Sequence, residues 1–552
     1  MEELEKEFNL LDEPWIVVRT RGNVTQEVSL LDLFAHAHEY RGLAGELPTQ
    51  DVAVMRLLLA VMHAAFVTDD IEDRDDAVEL WKALWENKKF PYEVIEQYLE
   101  EYRERFWLFH PETPFYQLAN IRQAMDSSDK KAKENNSGKE KNVKPVARLI
   151  GELFQSEHKS RLAPMRIGEG QSSLSYAEAA RWLLHLNGFD DNAAKNPTPK
   201  GVGYLGQLGL ILVEGKSLFE TLMLNFVLVD QWDEIFADGR VAEGAFWETP
   251  VCGIIENHIA QPRAQKELLT MQSRRILLKR QNGKVVGYLS TMGDYFGEAE
   301  KAILINETMT GWKRNEKIGF IPRKPDPEKQ MWREFSSLLG TGENEDVLMP
   351  GVVYWQKILK DEGIVSGTIR LKMIGAHFKG KSATKMIQDY VEDTLDISAD
   401  LIESFNKRWV LEIVIALGVV DKAVEELGNL AARIVLIDGY SANKVKKETK
   451  GNKKKIRDRA RKEAREQGYA ELNSHFRQWL LSINANEDKV ADKIQEWLNI
   501  AKSVLLRIGD DLVNDCGVNN IYIREGGMDV FTAHRVFIGS VVKELGGGAE
   551  NG

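Results

Sequence analysis

The strongest constraint on the fold of this 552-residue chain is a change of rhythm near Ser382. Before it, helical spacing is interleaved with strand-like runs. After it, apolar residues recur every three or four positions, the period of helices that bury one face. LIESFNKRWVLEIVIALGVV reads as a buried helix, and ADKIQEWLNIAKSVLLRI sets Ile494, Trp497, Leu498, Ala501, Val504 and Leu505 on one side, as a bundle helix requires. The length exceeds what one core organises, so the reading is α+β: a large mixed α/β domain over residues 1–385, then a helical domain over 386–552.

Within the first domain, FNLLDEPWIVVR predicts a strand closing on Trp15. VSLLDLFAHAHEY and TQDVAVMRLLLAVMHAAF predict helices, the second capped by Asp51. DDAVELWKALWENKKFPYEVIEQYLEEYRERFWLF predicts two helices broken at Pro91, and RRILLKRQNGKVVGYLS a hairpin about Asn282 and Gly283. GTIRLKMIGAHF is a further strand. Two stretches are rich in glycine: RIGEGQSS, which feeds the amphipathic helix LSYAEAARWLLHL, and KNPTPKGVGYLGQLG, whose backbone can approach a ligand closely. Residues 125–144 lack apolar periodicity and read as a flexible surface insertion. Residues 444–465 hold twelve basic and three acidic side chains and read as a basic insertion that interrupts the bundle.

Charge and cysteine usage narrow the function. Lys and Arg total 73 against 85 Asp and Glu, so a net charge of -12 argues against a chain that coats nucleic acid over its whole surface; a polyanion must meet local patches. Cys252 and Cys516 are the only cysteines, which leaves no disulfide framework and no four-thiolate zinc site and fits a reducing compartment. The acidic start and apolar runs shorter than the ~20 residues of a membrane span predict a cytoplasmic chain with no membrane partner. No H-E-x-x-H or G-x-S-x-G pattern occurs. His36 and His38 read as a helix face, Asp190 and Asp191 as solvated caps, and no cofactor is called for.

GAHFKGKS, Gly375 to Ser382, fits the phosphate-loop pattern G-x-x-x-x-G-K-[ST], with Lys381 and Ser382 in the nucleotide-binding places. GTIRLKMI before it reads as a strand and SATKMIQDYVEDTL after it as a helix, which is the local context such a loop needs. IVLID, Ile434 to Asp438, offers a magnesium-binding aspartate. Against this, a doubly wound sheet requires further strand-helix units, none follows, and IVLID continues a helical spacing. A nucleotide hydrolase therefore stands as the second reading.

FNLLDEPWIVV, FHPETPFYQ, GYLGQLGLILVEGKSLFETLMLN, and FWETPV followed by LLTMQSRRILL occur here in an order and spacing that resemble the large subunit of the type I-E CRISPR Cascade complex, the CasA or Cse family, over nearly the whole chain. The resemblance implies a non-catalytic subunit whose C-terminal domain is a four-helix bundle. It implies partners as well: the backbone, small and 5′-handle-binding subunits, CRISPR RNA, double-stranded target DNA and a helicase-nuclease. Such a subunit reads the protospacer-adjacent motif, starts duplex opening and R-loop formation, and leaves the remaining sequence to the guide.

The family's motif readers carry over residue by residue. A glycine loop resembles KGVG, giving Lys200, Gly201 and Gly203. A basic finger falls in PRAQK, where Arg263 and Lys266 are both eligible. A wedge resembles GAHFKGKSA, giving Gly380 and Lys381, with lysine where the family carries glutamine; an ammonium only donates, whereas an amide also accepts. Lys381 is open to a wedging role or to phosphate binding beside the opened pair. A loop that fastens onto guide and target resembles RIGEGQSS, giving Gly168, Glu169, Gly170 and Gln171. Arg274 and Arg275 either contact phosphate or pair with acids of their own domain, and Lys453, Lys454 and Lys455 have the charge for DNA backbone.

Overall fold

A computed structural model describes residues 5–122, 143–151, 153–154, 159–160, 166–191, 201–230, 232–236, 238, 244–250, 262, 264–294, 306–317, 319–340, 346–379, 386–403, 406–441, 450–516 and 528–546. The chain forms two units and crosses between them several times. One comprises Met1–Pro327, Glu345–Leu359 and Arg370–Thr394; the other Glu328–Asn344, Lys360–Ile369 and Leu395–Gly552.

The first unit is built on the helix Pro48–Phe66, which is buried nearly all round. It is long and apolar enough to cross a membrane, contrary to the sequence reading, yet 83% of the qualifying window lies inside the protein. Pro48 occupies its first turn, where the missing N–H costs nothing, and Leu47 precedes it in extended conformation. Asp51 is thus not the cap: its carboxylate turns back to accept the Gly45 amide at 2.7 Å. The helix Tyr176–Phe189 packs beside it and starts with a complete capping box of Ser175 and Glu178. Trp15 is fully buried and donates its indole N–H to the Leu10 carbonyl.

The hairpin Arg274–Gln281 with Lys284–Met292 forms as expected, Asn282 and Gly283 both holding the positive φ that a tight primed turn demands. A second sheet has the order Met386–Ser398, Thr368–Lys379, Leu210–Glu214. Here the sequence reading fails: the segment after Ser382 is a 13-residue strand from Met386, not a helix. Ile387, Val391 and Leu395 recur every fourth residue, and four positions return to the same face of a strand as well as of a helix, so the two periods coincide there. Only six residues separate Lys379 from Met386, too few for a parallel crossover, so the two strands form an antiparallel hairpin.

In the second unit four helices, Lys407–Ser441, Lys450–Leu481, Val490–Asn514 and Val530–Gly546, form the bundle. Its core is aromatic: Trp332 stacks on Phe476 at 4.8 Å between ring centroids, and Trp479 on Trp497 at 5.5 Å. Lys450–Arg465, read as part of an insertion, is instead the first half of the second bundle helix. Its inner stripe runs through Ile456, Ala460, Ala464 and Gly468, all but the first small residues that leave little hydropathy signal. The remainder of that basic stretch, and most of residues 125–144, lie outside the described residues.

Candidate nucleic-acid interface

Residues 201–209 of the first unit lead into the strand Leu210–Glu214. Gly201 has φ of +147°, a region closed to most side chains, and a methyl there would meet no described atom within 4 Å. Gly201 is intermediate in burial, at a point where only glycine sits without strain.

The segment is fastened at each step. The Gly201 carbonyl accepts from Arg274 Nη2 at 2.7 Å, while Arg274 Nε pairs with Asp190 Oδ2 at 2.7 Å. The Gly203 amide donates to the Asp190 carbonyl at 2.7 Å, and a methyl on Gly203 would collide with the Gly188 carbonyl. Tyr204 donates its amide to Ser273 Oγ at 3.0 Å and its hydroxyl to Glu307 Oε2 at 2.9 Å. Glu307 in turn is paired with the buried Arg56 at 2.8 Å. Burial and the Glu307 carboxylate hold the Tyr204 phenol well above its ordinary pKa, so it remains a donor.

This placement decides between the alternatives left open for the cations. Arg274 and Arg275 are 4% and 6% exposed, and each guanidinium is joined to an acid, Asp190 and Asp294 respectively. Both serve the interior rather than a phosphate, because a buried arginine must be matched by a charge within the fold. Asp190, read as a solvated cap, is likewise buried as the partner of Arg274. Lys266 is 7% exposed, with its ammonium 3.0 Å from Glu248 and its amide donating to Asp238 at 2.8 Å. It is an interior ion pair and not a projecting finger. Its rival Arg263, together with Lys200, Gly380 and Lys381, falls outside the described residues.

Gly168–Gln171 forms one turn of 3-10 helix with Gly168 at φ +63°. Arg166 secures its base to Glu46 and Glu178, and Gln171 donates to the Arg166 carbonyl at 2.6 Å. At its outer edge Glu169 is 90% exposed by side chain, and the neighbouring Ile167 is 88% exposed. In the second unit Lys454 and Lys455 are exposed and Lys453 is half-buried, whereas further along the helix Arg461 and Arg465 are drawn to Glu425.

The strand from Met386 also removes the local context of a phosphate loop, which needs a helix N-terminus behind its lysine. IVLID lies inside the helix Lys407–Ser441. Sequence reasoning missed Asp190, Tyr204, Glu307 and Glu248 because their partners lie from 18 to about 250 residues away; only the long-range fold brings them together.

Taken together these features define a two-part α+β protein whose first unit fastens a glycine-rich segment by hydrogen bonds and whose second is a helical bundle with a cationic helix. Residues 9–508 match the family model described as CRISPR-associated protein Cse1, and the chain belongs to that family. CasA/Cse1 of Thermus thermophilus is 28% identical over 389 residues, 68% of each chain. The Cse1 crystal structure from Thermobifida fusca covers 99% of both chains at 28% identity with a TM-score of 0.76. A chain of a solved CRISPR RNA-guided surveillance complex, 16% identical, covers 97% of this chain and all of its own length, and shares the fold with a TM-score of 0.69.

Proposed function

We propose that this chain is the non-catalytic large subunit of an RNA-guided surveillance complex, reads a short motif in double-stranded DNA and starts opening of the duplex beside it. Family membership supports the place in the complex. The observation that carries the motif reading is the backbone at Gly201, clamped by Arg274, intermediate in burial and free of a side chain. Backbone groups there suit the minor groove, whose donor and acceptor pattern is degenerate, so several motifs would be tolerated.

In this reading Lys200, Gly201 and Gly203 form the base-facing loop. The turn after Lys379, with Gly380 and Lys381, enters the duplex as the wedge, and Arg263 is the remaining candidate for the basic finger. Gly168–Gln171 meets guide or target, Lys453, Lys454 and Lys455 follow DNA phosphates, and a helicase-nuclease docks on the assembled particle. The test is co-expression with the neighbouring subunits and a CRISPR RNA, followed by selection from a duplex library randomised beside a guide-matched target. The chain is expected to co-purify with the particle and the library to become enriched in a few short motifs. Absence from the particle, or retention of all flanks equally, overturns the reading.

A further inference from the structure

We infer that Lys454 and Arg457 form a phosphate seat at one end of the helix pair Lys407–Ser441 and Lys450–Leu481, backed by the unmatched guanidinium of Arg433, and that this seat holds the backbone of target DNA. The inference rests on the DNA-binding function proposed above and adds two arginines to it.

Helix register places the three cations. Asp421 accepts from the Tyr469 hydroxyl at 2.8 Å, Glu425 pairs with Arg465 at 2.9 Å, and Asn429 accepts from Arg461 Nε at 3.2 Å. Four residues forward on the first helix are thus four residues back on the second, the step of an antiparallel pair packed along its i, i+4 rows. The next step sets Arg433 opposite Arg457, and Lys454 lies one turn from Arg457 on its own helix. Close packing holds that register: a methyl on Gly428 would lie 2.8 Å from Arg461 Cγ and 3.0 Å from Arg465 Cγ.

What sets this end apart is its lack of acids. Further along the second helix every cation has a carboxylate: Arg459 meets Glu463 at 2.7 Å, Arg461 meets Asp458 at 3.3 Å, Lys462 meets Glu328 at 2.6 Å, and Arg465 meets Glu425. On the facing helix no Asp or Glu occurs from Leu427 to Ile437. Among the described residues Lys454, Lys455 and Arg457 accordingly have no ion pair, and all three are exposed. Arg433 is half-buried, and its Nη1 is enclosed with no hydrogen-bond partner among the described residues.

An unmatched guanidinium inside a fold raises the energy of the free chain, and cations gathered across from it raise it again. An anion over them relieves both. A phosphodiester fits, because the fork of Arg457 offers parallel donors to its oxygens while Lys454 adds a point charge one turn away. Arg433 contributes by its field from behind, with no need to touch the ligand.

The test uses the reconstituted complex with Arg457→Gln or Arg433→Gln and, as controls, Arg459→Gln or Lys462→Gln, titrated across a salt series with duplex DNA that does or does not carry the motif. Arg457→Gln should lower the slope of log affinity against log salt by about 1, and Arg457→Lys should leave it unchanged. The controls take the same charge from the same helix and should hold the slope within about 0.3, since neither touches a phosphate. Arg433→Gln should weaken binding about threefold yet leave the unfolding midpoint of the chain unchanged or higher, whereas an arginine that served only the core would lower it on removal. An unchanged slope for Arg457→Gln, equal losses from the controls, or a lower midpoint for Arg433→Gln would each overturn the seat. So would loss of guide RNA from the purified variant particle, since the guide would then be the ligand. The motif reading is scored apart, in the randomised library: if the unaltered complex enriches no motif, that reading fails, while the slopes of the variants still decide the seat.

Discussion

The glycine segment and the second bundle helix use charge in opposite ways. Around the segment, Arg274, Arg275 and Lys266 are all buried, and each is joined to one acid. On the helix, Lys454 and Lys455 stand in solvent. In the sequence both groups are simply cations near glycine or near other cations. The fold separates them: a buried cation needs a partner and holds a shape, whereas an exposed one keeps its charge available to a polyanion.

That contrast is tested most severely at Arg274. Arg274→Ala removes a buried guanidinium from Asp190 and from the Gly201 carbonyl, so a loss of about 3–5 kcal/mol is expected in denaturant unfolding of the chain. Arg274→Lys should recover only part of it, because an ammonium cannot span both acceptors as the planar fork does. A loss below about 1 kcal/mol for the alanine variant would mean that the clamp is not what holds the segment.

Asp51 sharpens the comparison, as an acid held by an amide instead of a guanidinium. Burial pushes its carboxyl up to about 6 from an ordinary 3.8, with the Gly45 N–H and Lys372 opposing the shift. The folded state therefore binds the proton more tightly than the unfolded one, and stability falls as pH rises from about 4 to about 6. Asp51→Asn keeps an acceptor for Gly45 without the charge. It should remove that slope and add on the order of 2 kcal/mol at pH 7, as read from unfolding curves across the pH series.

The smallest effect on stability is expected on the bundle helix, and there the readout is binding. Lys454→Ala with Lys455→Ala should change stability by no more than about 0.5 kcal/mol. The same pair should lower the slope of log affinity against log salt for duplex DNA by about 1–2. Removing 444–465 altogether is not an equivalent test, since Lys450–Arg465 belongs to a bundle helix and its loss would break the core around Ala464. An unchanged salt slope would reduce these lysines to a solvated helix face.

Much of this architecture was legible because it is local. The Asn282-Gly283 turn, the amphipathic helix after RIGEGQSS, and the Trp497 to Leu505 stripe are each written within a few residues, and a backbone obeys such signals unless packing overrules them. The family, too, was legible in the order of short motifs. Three features were not. The strand from Met386 hid behind a four-residue spacing that serves both periods. Part of a bundle helix hid in a stretch rich in lysine, because its inner stripe is mostly alanine and glycine. The fate of Arg274, Arg275 and Lys266 depended on Asp190, Asp294 and Glu248, whose proximity arises only when helix, hairpin and loop are assembled. Periodicity and turn chemistry are properties of neighbours along the chain, so the sequence alone determined the elements. Burial and pairing are properties of neighbours in space, and those only the tertiary structure decided.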